Sequence, residues 1–134
     1  METLVERAAR VAREHHVVTL QHDHAVVELS GARTVLLLEH RRPADHALIV
    51  VGHIGPEAIA APRAMLELAA YLSAGAIALV AGCYVVRYAV PPERIESPAL
   101  NEALEYVARV ASELGVALAS SKHTGEKLFS HYFE

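Results

Sequence analysis

The chain has 134 residues, a formal charge of -4 and 53% hydrophobic residues, which suits one domain around one core and excludes a disordered chain. The charge is spread without a basic block, so the electrostatic footprint of a general nucleic-acid binder is missing. No apolar stretch is long enough to span a membrane, because Gly75, Gly82 and Arg87 interrupt the longest candidate.

The first segment, "METLVERAARVAREHH", is charged throughout and has no apolar signal core, so no export is expected. Leu4, Val5, Ala8, Val11 and Ala12 share one helical face, and the spacing predicts an amphipathic helix over 2–14. Val17 to Leu20 is apolar and belongs to the first strand or precedes it. "HAVVELSGARTVLLLEH" predicts a hairpin, with Ser30-Gly31 turning between Ala25–Leu29 and Thr34–Glu39. "RRPAD" makes the next turn, and "HALIVVGHI" is a third strand ending at Gly55-Pro56.

A second helix is expected from Pro62, with Met65, Leu68, Ala69 and Leu72 inward and Gly75 as its close. Two strands follow, turning at Ala81-Gly82. The second has Tyr84, Val86 and Tyr88 on one side and Cys83, Val85, Arg87 and Ala89 on the other. Pro91-Pro92 must stop it, since neither residue can donate to a ladder. Ser97-Pro98 is an N-cap with a first-turn proline, and Leu100, Leu104, Val107, Ala111, Leu114 and Leu118 mark a long helix. The expected class is α+β, in the order α-β-β-β-α-β-β-α, as an antiparallel sheet flanked by helices. Residues 1–120 form the domain and residues 121–134 a C-terminal aromatic tail.

That order, with "GCYVVRYAVPPERIESPALNEALEYVARVASELGVAL" from Gly82 to Leu118 and "MLELAAYLSAGAIALVAG" before it, resembles the YbjN family and the wider group of type III secretion chaperone-like domains. The first 55 residues agree with it in element order. The resemblance implies an antiparallel sheet with helices on one side, often assembled as a homodimer. It also implies binding of extended segments of a protein partner, and no enzyme. Its motifs are packing patterns, so they assign no residue a role.

Both sides of Tyr84–Val90 are apolar, whereas a sheet covered on one face only should alternate. Either a second copy or the C-terminal tail would bury the extra face; the alternative is a central strand buried within a monomer. The expectation is that the last two strands lie at the centre of a dimer sheet or its core, with Tyr84, Val86, Tyr88 and Arg87 binding a partner. Arg87 would pair with a carboxylate at the sheet edge or across a dimer, or anchor the carboxylate of a ligand. In the tail, Leu128 stands beside Phe129, Tyr132 and Phe133, which fall at i, i+3 and i+4; together they form a second candidate anchor. "SSKHTG", from Ser120 to Gly125, is its hinge.

The competing chemistry is thin. Nine histidines are present, and "QHDH" would put His22 and His24 on one strand face, as two weak candidates for a zinc site that needs a third ligand. Cys83, the single cysteine, lies in an apolar strand where a thiol acts as a small hydrophobe. It cannot form a disulfide within the chain, which points to the cytoplasm. No phosphate loop and no paired carboxylates are present. The sequence therefore reads as a non-enzymatic protein-binding module, chaperone-like or adaptor, dimeric and without a cofactor. The alternatives are a small histidine-based metal- or ligand-binding protein and a structural subunit of a bacterial assembly.

Overall fold

The computed structural model describes residues 2–42, 45–70 and 72–120. The tail anchor residues Leu128, Phe129, Tyr132 and Phe133 lie outside the described residues, as does the hinge from Ser121 onward.

The elements run α1 (Leu4–Ala12), β1 (Val17–Leu20), β2 (His24–Leu29), β3 (Arg33–Arg42), β4 (Asp45–Pro56), α2 (Pro62–Ala69), β5 (Ala76–Val80), β6 (Cys83–Val90) and α3 (Ser97–Ser120). The six strands form one sheet, every neighbouring pair antiparallel, in the order β1-β2-β3-β4-β6-β5. The α+β class is as expected, with two corrections. Val17–Leu20 is a strand in its own right, the edge strand beside β2 among the described residues. The second helix stops at Ala69, and Gly75, with φ of 77°, sits in the loop beyond it.

Local chemistry accounts for the element ends. Thr3 caps α1: its hydroxyl accepts from the Glu6 N–H at 3.1 Å, while the Glu6 carboxylate accepts from the Thr3 N–H at 2.8 Å. The carboxylate of Glu39, reaching up from β3, accepts from the Leu4 N–H at 2.9 Å and adds a negative charge at the helix N-terminus. The β5–β6 turn has both central residues left-handed, Ala81 at φ 50° and Gly82 at φ 78°, which is the two-residue hairpin geometry matched to strand twist.

Antiparallel register fixes which side chains share a face. Ala25, Val27 and Leu29 of β2, Val35 and Leu37 of β3, Leu48 and Val50 of β4, and Tyr84, Val86 and Val90 of β6 all point one way and are buried. All three helices lie on that side. α1 lays Leu4, Val5, Ala8 and Val11 over the β1–β3 half, and α3 lays Leu100, Leu104, Val107, Ala111 and Leu114 over β4 and β6. α2 adds Met65 and Leu68 beside them. Arg7 ties the layer together by donating to the Pro92 carbonyl in the turn after β6.

Candidate functional site: the open sheet face

The opposite face carries no helix among the described residues. Its side chains are Val26 and Glu28 of β2, Leu36 and Leu38 of β3, Ala47, Ile49, Val51 and His53 of β4, Val85, Arg87 and Ala89 of β6, and Ala78 and Val80 of β5. Ala47, Ile49 and Val85 are only 6–7% exposed, yet none of them belongs to the helix-side core. They sit in the middle of the sheet, with a strand paired on each side of β4 and of β6. Val26, Leu36, Leu38 and Val51 stay half-buried around them, so the face is a flat aliphatic floor with residual apolar surface.

The charged groups on this floor are mostly cationic or imidazole. Arg87 is exposed, sits across from Val51 on one side and Ala76 on the other, and has no carboxylate partner among the described residues. It borders a shallow groove of about 410 Å³ lined also by His40, Ala47, Ile49, Ala76 and Ala89. His24, His53 and Glu28 stand on the same face.

The sequence-predicted partner residues are split by this geometry. Tyr84 and Val86 are 3% and 0% exposed and face the helices, so they serve the core and not a surface. The Tyr84 hydroxyl donates to the Ala60 carbonyl at 3.1 Å, and burial, reinforced by the negative charge of Glu57, pushes its pKa upward. Tyr88 also faces the helices, half-buried and edge-to-face with Tyr106 at 6.0 Å. Only Arg87 of the four lies on the open face. The alternation of β6 was legible, but which side the helices cover was not, since both sides are apolar. The residues that reasoning missed are Val26, Leu36, Leu38, Ile49, Val51 and Val85. For Leu36, Leu38, Ile49 and Val51 the signal was the unalternated runs "VLLL" and "ALIVV", which mark strands apolar on both faces.

The described histidines do not converge. His22 falls in the β1–β2 turn and not on a strand, so it does not share a strand face with His24. His24 holds the Asp23 carboxylate at 2.7 Å and keeps that carboxyl below its usual range, His46 meets Glu39 at 2.9 Å, and His16 meets Asn101 at 2.6 Å. Among the described residues, no three His, Cys, Asp or Glu side chains are grouped to hold a metal ion. Cys83 lies half-buried at the start of β6, on the open face, across from Val80 and Pro56.

A second hollow, about 260 Å³, lies between β6 and α3 and is lined by Tyr88, Arg94, Glu102 and Tyr106. The Tyr106 hydroxyl is committed to the backbone of Ala74, donating to its carbonyl at 2.9 Å and accepting from its N–H at 3.2 Å. No helix among the described residues is long and apolar enough to cross a membrane. Set against family models, curated proteins and solved structures, the chain returns no match.

Proposed function

We propose that this protein is a non-enzymatic protein-binding module, chaperone-like or adaptor in kind, that receives an apolar segment bearing a carboxylate on its open sheet face. One observation carries the reading: Ala47, Ile49 and Val85 form a dry aliphatic floor outside the helix-side core, with Arg87 standing on it. Each aliphatic side chain of the segment itself that the face takes fully out of water contributes about 1.5–3 kcal/mol before the costs of association, while the already dry floor residues gain little. A guanidinium beside the floor selects for a carboxylate and fixes its register. The resemblance to secretion chaperone-like domains points the same way.

Selection from a random peptide display library on immobilised full-length protein tests this. Enriched sequences should combine aliphatic or aromatic residues with Asp or Glu, and Ile49→Asp and Arg87→Glu should each lose them. Enrichment that survives both substitutions overturns the reading.

A homodimer is favoured by a different observation. The edge strand β5, "AIALV", carries no charge and no proline, and Leu79 and Val80 are 47% and 53% exposed. Edges are normally guarded, and an unguarded apolar edge is a template for pairing. A two-fold axis beside β5 would join two sheets antiparallel and put β5 and β6 near the centre of the dimer sheet. Light scattering should give twice the chain mass, and Leu79→Lys should halve it. A monomer at all concentrations would sink the dimer and leave the face reading intact.

A further inference from the structure

We infer that the C-terminal tail of this chain, residues 128–134, is the resident occupant of the open sheet face, held there as an intramolecular ligand that a partner segment must displace. The inference rests on the open face being a docking surface, and adds what sits on it.

The direction of α3 is the first argument. Its N-terminal half lies by the end of β6, where Tyr106 meets Tyr88, and Val107 and Ala111 then cross Gly52 of β4. Gly115 passes over the carbonyl of Ile54, so the helix leaves the sheet at the end where β4 finishes and β6 begins at Cys83. Reaching the open face from there takes a crossing from the helix layer to the layer below the sheet, about 20 Å at a layer spacing of about 10 Å. The eight residues from 121 to 128 reach about 26 Å when extended. Residues 121–127, "SKHTGEK", contain no apolar side chain, which suits a crossing through water. Leu128, the first apolar residue after the crossing, is also the first that can land on the floor.

Complementarity is the second argument. The floor is aliphatic and aromatic-free, and the tail carries Phe129, Tyr132 and Phe133, three of the seven aromatic residues of the chain, beside Leu128. Flat rings with few rotamers cover such a floor at low entropic cost. The Arg87 guanidinium has no carboxylate partner among the described residues, and the tail carries Glu134. The short spacer keeps the local concentration of the tail high, so modest contacts suffice to hold it.

Cys83, the one cysteine and itself on the open face, supplies the test in the full-length chain. A nitroxide attached to it should strip most of the amide intensity from residues 128–133, and Arg87→Glu should restore that intensity. The control label, on Arg10→Cys in a Cys83→Ser background, sits on the helix side and should leave the tail sharp. Sharp tail signals with the Cys83 label would overturn the inference, placing the tail elsewhere, for instance by Leu66 and Val116. Broadening in a mixture of labelled unenriched and unlabelled enriched protein would also overturn it, because the tail would then cover a second copy. Phe129→Ala/Phe133→Ala should raise affinity for a library-selected peptide severalfold. If the tail docks and that affinity does not rise, the intramolecular ligand is not one that partners displace. If selected peptides bind an already bare face, the docking-surface reading stands and the tail inference falls.

Discussion

Gly52 of β4 lies so close beneath Ala111 of α3 that a methyl group on the glycine would stand 2.9 Å from the alanine Cβ and 2.8 Å from a methyl of Val107. Nothing larger than hydrogen fits between strand and helix here. Gly52→Ala therefore lifts α3 off the sheet or displaces Val107, and should cost about 1–3 kcal/mol in urea unfolding. A double-mutant cycle with Val107→Ala should recover part of that loss, since the two sites share one contact.

Tyr84 predicts the alkaline limb of stability. Its folded pKa is raised by burial and by Glu57, so the folded state holds its proton longer than the unfolded chain does. That contribution is complete below the ordinary tyrosine pKa and is lost as the pH rises through the folded value. Tyr84→Phe should flatten this limb. It should also cost about 1 kcal/mol at neutral pH, because the Ala60 carbonyl loses its donor.

Glu39 joins β3 to α1 through the Leu4 N–H and to β4 through His46. Glu39→Ala removes a charged acceptor from a helix N-terminus and should lower stability by about 1.5–3 kcal/mol. Amide exchange should quicken in α1 before it quickens in α3, which has its own contacts with the sheet.

Ala81 is an L-residue at φ 50° in a turn whose geometry favours Asn-Gly. Ala81→Asn should stabilise the protein by about 0.5–1 kcal/mol, because asparagine tolerates the left-handed region that alanine resists. Thermal unfolding of the single variant checks this, and an unchanged or lower midpoint would count against the turn assignment.

The sequence was readable where local rules act alone. Pro98 falls in the first turn of α3, Pro91-Pro92 ends β6 at Val90, and Ala81-Gly82 turns the last hairpin, each through a backbone constraint carried by those residues. The cap position of α3, however, is Glu96 and not Ser97. The sequence does not separate β1 from β2, because "VVTL" is short and mostly exposed and has no burial pattern to display. The open face was misassigned for a different reason. Tyr84, Val86 and Tyr88 look like interface residues by type, and only the placement of α3 over them decides that they are core. Likewise His22 and His24 stand two apart, but the turn at 21–23 removes one of them from the strand.

The position of β6 between β4 and β5 has a consequence for synthesis. The first four strands are sequence neighbours and can close as they emerge from the ribosome, but β4 then waits with one long margin bare until α2, β5 and the turn at Gly82 have been made. Throughout that interval the run Leu48–Val51 offers its backbone to any passing chain. Slower delivery of the second half is therefore expected to lower the share of chains that reach the native state.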